Sequence, residues 1–184
     1  MSRPRKQISL IVDASVARAA SGEAVDPRAH CGRLCREALE AIRSHERLGV
    51  AFSPRLWEEW KRNRSRFSSA WLTQMYGRKK VDLLPRETNR HDGVERAAAA
   101  RMTQQQAKAV RKDSHLVAAA LQADLRVISL DDTVRDLLSR LCDVCSDLNR
   151  LYWASPCTEP AAGPTCVAWL EGGAPGENTL RLCP

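Results

Sequence analysis

Five acidic side chains stand where short apolar segments end or helical segments begin: Asp13, Glu59, Asp113, Asp131 and Asp132. Asp13 directly follows the apolar run 8–12, and Asp131 directly follows the run 125–130. Clustered carboxylates repel one another unless a cation or a proton compensates them, and Mg²⁺ and Mn²⁺ prefer such oxygen ligands. These ions activate water and stabilise the charge of a phosphodiester transition state. A single Asp after a strand is more often a helix cap or a turn residue, so the hypothesis of a metal-dependent nuclease depends on the joint placement of the acids.

The segments between these acids alternate between apolar runs and amphipathic stretches. The run 8–12 is apolar and β-branched nearly throughout, which is typical of a strand buried on both faces of a parallel sheet. The pattern predicts strands at 8–12, 49–53, 125–130 and 151–154, and helices at 27–47, twice within 54–80, at 94–111, from Asp113 onward and at 134–141. Residues 82–93 are expected to form a loop. This order favours a parallel sheet with helices on both faces, which binds ligands beyond the carboxyl ends of its strands.

Three blocks of sequence resemble the motifs of PIN domains, the nuclease fold of bacterial VapC-type toxins and of eukaryotic RNA-processing nucleases. ISLIVDAS is similar to the opening strand of that family, with Asp13 as its first acid. SPRLWEE is similar to the block that follows the second strand, and its register selects Glu59 over Glu58. DSHLVAAALQADLRVISLD is similar to the third block, with Asp113 at the head of a helix and Ser129-x-Asp131 after a strand.

The resemblance covers residues 7 to about 154, and it implies a three-layer α/β/α sandwich with a central parallel sheet. It divides the chain into a PIN-like nuclease domain at 1–154 and a Pro/Gly-rich C-terminal extension at 155–184. It implies hydrolytic cleavage of RNA with Mg²⁺ or Mn²⁺ held by Asp13, Glu59, Asp113 and Asp131, with Asp132 as the alternative fourth ligand. Ser15 and Ser129 would orient the carboxylates or a water molecule. A protein antitoxin and a homodimer are the partners that the resemblance adds to RNA.

The region between Pro54 and Lys80 is strongly basic, and the whole chain carries a formal net charge of +7. Charge of this sign favours a polyanionic partner. The residues expected to contact the RNA backbone are Arg55, Lys61, Arg62, Arg64, Arg66, Arg78, Lys79 and Lys80. Aromatic residues alternate with them, namely Trp57, Trp60, Phe67, Trp71 and Tyr76. Their near-helical spacing favours packing in the core over stacking on unpaired bases.

The remaining reactive side chains are expected to be structural. Seven cysteines are an odd number, and reduced thiols are the expected state, with Cys142 and Cys145 in the core of a helix. His115 is the histidine nearest the acids, and a surface or capping role is favoured for it over substrate contact. After residue 155 the chain is expected to be loosely structured, with one short helix at 167–170. Because no apolar stretch approaches the ~20 residues of a membrane span and no signal peptide is apparent, a cytoplasmic protein without a membrane partner is expected.

Two other functions are compatible with these residues. A PIN-like module that binds RNA or a protein without cutting would need no acids, so four intact acids argue against it. A phosphatase with an aspartyl nucleophile would usually carry a second Asp two residues after the first, where this chain has Ser15. An RNA endonuclease is therefore the leading hypothesis.

Overall fold

The computed structural model describes residues 7–21, 29–85 and 92–183, which form an α/β fold around a parallel sheet. The strands are β1 (Ile8–Val12), β2 (Leu48–Phe52), β3 (Val81–Leu83), β4 (Arg126–Ile128) and β5 (Tyr152–Ala154). The α-helices are α1 (Ala14–Ala19), α2 (Ala29–Ser44), α3 (Pro54–Asn63), α4 (Arg66–Gly77), α5 (Asp92–Arg101), α6 (Gln104–Gln122), α7 (Asp132–Ser139) and α8 (Cys166–Glu171). Two short 3₁₀ helices follow α7 and α8, at Ser146–Arg150 and Asn178–Leu180.

The five strands pair in the order β3-β2-β1-β4-β5, and every pair is parallel. β1 lies in the middle, in register with β2 through Ile8 and Leu48 and with β4 through Ile11 and Val127. Leu10 and Ile11 point to opposite faces of the sheet and are both fully buried, as expected for a central strand covered by helices. The prediction of a parallel sheet is confirmed.

Most of the predicted strands and helices are present, and three predictions of local structure are wrong. Residues 81–83 form the strand β3 at one side of the sheet, whereas residues 82 and 83 were expected to belong to the loop 82–93. Residues 86–91 of that loop lie outside the described residues. The helix predicted at 94–111 ends instead at Arg101. Asp113 does not begin a helix, because α6 starts nine residues earlier, at Gln104, where Thr103 and Gln106 form a reciprocal capping box.

Large aromatic side chains fill the core beside the sheet. Trp60 of α3 and Trp71 of α4 are buried with their ring centroids 5.9 Å apart, and Trp153 of β5 and Trp169 of α8 are buried as well. The indole Nε1 of Trp60 donates to the carbonyl oxygen of Val12 at 2.7 Å. This bond satisfies the buried polar end of the indole and fixes α3 to the end of β1.

The chain after residue 155 packs on the same core, so the expectation of a loosely structured tail is wrong for residues 155–183. The predicted short helix is present as α8, and Leu170 and Leu182 are buried. Leu182 N donates to Leu151 O at 2.9 Å, and Tyr152 forms an antiparallel bridge with Arg181. The C-terminal segment therefore lies beside β5.

Cysteines join this segment to the rest of the fold, which corrects the expectation of reduced thiols in a helix core. Cys31 of α2 forms a disulfide with Cys157, and Cys142 forms one with Cys183. α7 ends at Ser139, so Cys142 and Cys145 lie beyond it. The three other cysteines, Cys35, Cys145 and Cys166, are free thiols.

None of the helices in the described parts of the chain is long and apolar enough to cross a membrane.

Candidate functional site

The acidic side chains line one cleft of about 570 Å³ at the carboxyl ends of β1 and β4. Its lining includes all five acids selected from the sequence, namely Asp13, Glu59, Asp113, Asp131 and Asp132. They come from the turn after β1, from α3, from α6 and from the turn that begins α7. The parallel topology brings these distant segments together, because the carboxyl ends of neighbouring strands meet at one edge.

Asp13 is oriented by two serine hydroxyls. Ser15 Oγ donates to Asp13 Oδ2 at 2.5 Å, and Ser129 Oγ donates to the same oxygen at 2.9 Å. Ser129 Oγ in turn accepts from the backbone N–H of Asp131 at 3.1 Å. The two serines therefore link the acid that follows β1 with the acid that follows β4, in agreement with the orienting role expected for them.

Glu59 is held from both sides. Arg55 Nε lies 3.3 Å from Glu59 Oε1, and His115 Nε2 lies 2.9 Å from Glu59 Oε2. Burial raises the pKa of the Glu59 carboxyl, but the hydrogen bonds and charges of His115 and Arg55 outweigh it and lower the pKa below its ordinary value. Glu59 is thus a carboxylate with one fixed orientation.

His115 differs from its expected surface or capping role, because only 3% of its surface is exposed. Its Nδ1 lies 3.1 Å from the carbonyl oxygen of Lys112. A carbonyl and a carboxylate both accept hydrogen bonds, so each ring nitrogen of His115 faces an acceptor, Nδ1 the Lys112 carbonyl and Nε2 the Glu59 carboxylate. The buried imidazole therefore acts on the cleft through Glu59 and supports that carboxylate from α6.

Asp113 is the acid whose ionisation the cleft disfavours most. The pKa of Asp113 is raised from 3.8 to about 6, mainly by burial and also by the negative charges of Asp13 and Asp131, while the positive charges of Lys112 and His115 oppose the shift. Asp113 is thus near enough to both acids to feel their charges. A cation placed among the three would remove this repulsion.

Asp131 and Asp132 differ in how far their oxygens are already occupied. Asp131 Oδ1 accepts from the N–H of Val134 at 2.9 Å and caps α7. Asp132 Oδ2 accepts from the hydroxyl of Thr158, whereas its Oδ1, 3.8 Å from Arg135 Nη1, is buried without a hydrogen-bond partner. Since Asp131 also raises the pKa of Asp113, Asp131 is the better candidate for the fourth ligand.

Basic and amide side chains that the sequence reading did not select also line the cleft: Arg18, Asn63 and Lys112. Arg18 lies on α1 one helical turn after Ser15, and Lys112 precedes Asp113, so proximity to the motif acids was a signal that could have found them. Asn63 lies one turn after Glu59 on α3 and bonds to its backbone carbonyl at 2.8 Å.

Three of the residues expected to contact RNA lie at the opposite end of the sheet: Arg78, Lys79 and Lys80. They precede β3, and Lys80 O accepts from Val50 N, so they belong to the amino ends of the strands. Lys80 is only 8% exposed, and its Nζ donates to the carbonyl oxygens of Arg43 and His45. These three residues thus lie apart from the cleft, which opens at the other edge, and their contact with RNA stays a prediction.

The other expected RNA contacts lie on or next to α3. Arg55 is half-buried beside the cleft and donates to the carbonyl oxygen of Lys112. Lys61 pairs with Glu58 at 2.6 Å, and Arg62 bonds to the Glu58 carbonyl. The last two, Arg64 and Arg66, are exposed where α3 ends and α4 begins.

The aromatic residues of this region follow the core interpretation. Trp60 and Trp71 are buried, and Trp57 and Phe67 are partly buried against the core. Tyr76 is 43% exposed, with its ring 6.2 Å from that of Trp57. None of these five rings is among the residues that line the acidic cleft.

Comparisons with protein-family models, with curated proteins and with solved structures found no match to this chain. The resemblance to PIN domains thus depends on the motif residues themselves. These residues present hard carboxylate oxygens to the cleft, and the charges of Asp13 and Asp131 contribute, after burial, to the raised pKa of Asp113.

The carboxylates are more widely spaced than direct ligands of one naked ion would be. In the described ranges, the only group of three or more His, Cys, Asp or Glu side chains whose ligand atoms all lie within 4.8 Å of one another is Cys31, Cys35 and Cys157. Mg²⁺ is commonly held by one or two carboxylates and keeps several waters. The acids of the cleft fit a hydrated divalent ion in this sense.

Proposed function

We propose that this protein is a metal-dependent endoribonuclease of the PIN type. The observation that carries the proposal is the shared cleft, where four motif acids from separate segments meet and where burial, together with the charges of Asp13 and Asp131, raises the pKa of Asp113 to about 6. The parallel sheet with its helices is compatible with the three-layer α/β/α sandwich of PIN domains. Mg²⁺ or Mn²⁺ is the proposed cofactor and RNA the proposed substrate.

The metal is proposed to be held by Asp13, Glu59, Asp113 and Asp131, with some of these carboxylates acting through bound water. A bound divalent ion supplies the acidity that turns water into a nucleophile, and it stabilises the charge that develops on the phosphate. Ser15 and Ser129 hold Asp13 in one rotamer. No protein nucleophile is needed for this chemistry.

The side chains around the acids have separate tasks in the proposed reaction. Arg18 and Lys112 supply positive charge at the rim of the cleft for the RNA backbone. His115 and Arg55 fix the Glu59 carboxylate, so that its orientation does not have to be set when substrate binds. A protein antitoxin and a homodimer stay expectations from the resemblance.

The test compares Asp13→Asn and Asp113→Asn with the parent in Mn²⁺ binding, followed by electron paramagnetic resonance, and in cleavage of single-stranded RNA. We expect each variant to lose at least about 100-fold in cleavage rate, because losing a metal ligand costs at least as much as losing the group that supports it. Asp136→Asn is the matched control, since Asp136 is exposed on α7 and does not line the cleft.

Two results would contradict the proposal. If both variants cut RNA as fast as the parent, the acids are not the catalytic ligands. If the parent binds RNA tightly and never cuts it with Mn²⁺ or Mg²⁺, the protein is a binding module. Hydrolysis of a small phosphomonoester in place of RNA would assign it to the phosphatases.

A further inference from the structure

Three cysteine side chains meet on the side of the molecule where α2 faces the C-terminal segment. Cys31 and Cys35 are one helical turn apart on α2, and Cys157 comes three residues after β5. Their Sγ atoms all lie within 4.8 Å of one another, although Cys157 is 126 residues from Cys31 in sequence. None of the three lines the acidic cleft.

The cluster contains one free thiol, Cys35, in addition to the two cysteines of the disulfide. Cys31 and Cys157 form the bond, and Cys35 Sγ lies 3.7 Å from Cys157 Sγ. Two thiolates bound to one tetrahedral Zn²⁺ at about 2.3 Å each are about 3.8 Å apart. The distance between the Sγ atoms of Cys35 and Cys157 therefore matches the sulfur–sulfur distance of a tetrahedral zinc site.

A fourth thiol is close to this group. Cys166 is the first residue of α8, which packs against α2, and it is only 4% exposed. Cys35 is near enough to Cys166 that its charge contributes to raising the pKa of the Cys166 thiol, after the larger effect of burial. Cys166 lies outside the group of sulfurs that are all within 4.8 Å of one another, so its Sγ would have to shift toward Cys35 to become a fourth ligand.

We propose that the protein with reduced cysteines binds one Zn²⁺ through Cys31, Cys35 and Cys157, with Cys166 as the fourth ligand. The Cys31–Cys157 disulfide is the oxidised state of the same site. A small-molecule thiol reductant donates two electrons and two protons to break that disulfide, and zinc binding then displaces the thiol protons. Conversely, a peroxide takes two electrons from two of the thiolates, releases the zinc and leaves the disulfide and water.

This site is chemically distinct from the acidic cleft. Soft thiolates select Zn²⁺, whereas carboxylates select Mg²⁺ and Mn²⁺. The zinc site would tie α2 to the segment after β5, so its contribution would appear in stability and not in cleavage. The inference does not depend on the proposed nuclease activity.

The test uses Co²⁺ as the probe on the full chain, reduced with a phosphine and handled without oxygen. We expect one Co²⁺ per chain, with the near-ultraviolet charge-transfer absorption of thiolate–cobalt bonds, and its displacement by Zn²⁺. Cys35→Ser should weaken binding at least about 10-fold, as expected when a thiolate ligand is lost. Cys145→Ser is the matched control and should bind like the parent, because Cys145 is a free thiol outside the cluster.

A second measurement separates loss of binding from loss of folding. At a free zinc concentration about 100 times Kd, Zn²⁺ should raise the unfolding midpoint of the reduced parent by about 5–10 °C, and that of Cys35→Ser by much less. Absence of the thiolate–cobalt band from the parent, an undiminished band in Cys35→Ser, or a reduced parent whose unfolding is indifferent to Zn²⁺ would each overturn the proposal. An unchanged band in Cys166→Ser would overturn the assignment of the fourth ligand.

An RNA cleavage assay distinguishes the zinc proposal from the nuclease proposal. If the nuclease proposal is right, Cys35→Ser should cut RNA with Mn²⁺ as fast as the parent. A parent that binds Co²⁺ through sulfur but cuts no RNA would support the zinc site and contradict the nuclease alone.

Discussion

The two ends of strand β4 carry an aspartate each, and their surroundings differ. Asp124 precedes the strand and accepts a hydrogen bond from the backbone N–H of Ser9 at 2.8 Å. Nearby at the same amino edge of the sheet, the ammonium of Lys80 is satisfied by two backbone carbonyls. At the carboxyl edge, Asp131 faces Asp13 and Asp113 across the cleft. Together with burial, the charges of Asp13 and Asp131 raise the pKa of Asp113.

The comparison shows what distinguishes a structural charged group from a functional one. At the amino edge Asp124 and Lys80 both have internal partners of the opposite polarity, which offsets their desolvation. At the carboxyl edge like charges are held together by the backbone and by the two serines, and the proposed cation would compensate them. Substitutions at both edges test this contrast.

The largest effect is expected from Asp131→Asn compared with Asp124→Asn. Asparagine still caps α7, so folding should be preserved while the metal-dependent cleavage rate falls at least about 100-fold. Asp124→Asn should leave the rate within about 2-fold, because an amide oxygen can accept the Ser9 N–H as well. Initial rates on a labelled single-stranded RNA with Mn²⁺ would measure both.

Asp132→Asn sharpens this prediction. Since Thr158 already donates to Asp132, we expect the loss to stay below about 10-fold. A loss as large as that of Asp131→Asn would instead make Asp132 the fourth ligand.

A second contrast concerns the basic residues at the two edges. The double substitution Arg18→Gln with Lys112→Gln should weaken RNA binding about 10-fold, because two phosphate contacts at the cleft are lost. The slope of log K against log salt should become shallower by about 0.7 for each contact. Binding would be measured by fluorescence anisotropy in the Asp13→Asn background, which does not cut.

The control is Arg78→Gln with Lys79→Gln, which removes the same charge from the amino edge. We expect an unchanged salt slope. Equal losses from both double variants would mean that RNA responds only to the net charge of the molecule.

His115→Ala tests the support of Glu59. Removing the buried imidazole should lower the Mn²⁺ affinity about 10-fold, the lower end of the range for groups that orient metal ligands. His30→Ala is the control, because His30 is exposed on α2. Isothermal titration calorimetry would measure both affinities; an unchanged affinity in His115→Ala would show that Glu59 needs no support or is not a ligand.

The smallest effect is expected from Asp113→Asn on stability without divalent ions. The folded-state pKa of Asp113 is raised from 3.8 to about 6, so the folded protein binds the proton more tightly than the unfolded chain does. As pH rises through this window, stability falls, and above about pH 6 the ionised carboxyl is a constant cost. At pH 8 the variant should be more stable by about 1 kcal/mol, allowing for solvent screening of a partly exposed group.

Differential scanning calorimetry would record this as a midpoint about 2–4 °C higher than that of the parent. The difference should shrink as the pH falls below about 6 and vanish below the unfolded-state pKa of 3.8. A variant less stable than the parent at pH 8 would show that Asp113 is stabilised by its neighbours, contrary to the comparison.

Much of the fold and of the acidic site could be predicted from local sequence patterns. The run before Asp13 is apolar over both faces, so its strand and the position of the acid follow directly. The order of strands and helices predicted a parallel sheet, and that topology placed the acids at one edge. The orienting serines were selected from the resemblance to PIN domains, whose motifs place them two residues from Asp13 and from Asp131.

Other features depend on long-range contacts that a local pattern does not contain. Lys80 looks like any basic surface residue, and only the carbonyls of Arg43 and His45 explain its burial. β3 has three residues, too few to show a period. Cysteine pairing cannot be deduced from sequence. The start of α6 is different, because Thr103-x-x-Gln106 is a capping-box signal from which the beginning of this helix could have been predicted.

The pairing of residues 181–182 with β5 has a consequence for association between molecules. Unpaired backbone groups on an outer strand are templates for another chain. On the β5 side, the backbone of Leu182 and Arg181 already pairs with that of Leu151 and Tyr152. These groups are therefore not available to another chain. Removing residues 178–183 would unblock it, and aggregation would then begin at β5 with the acidic cleft still intact.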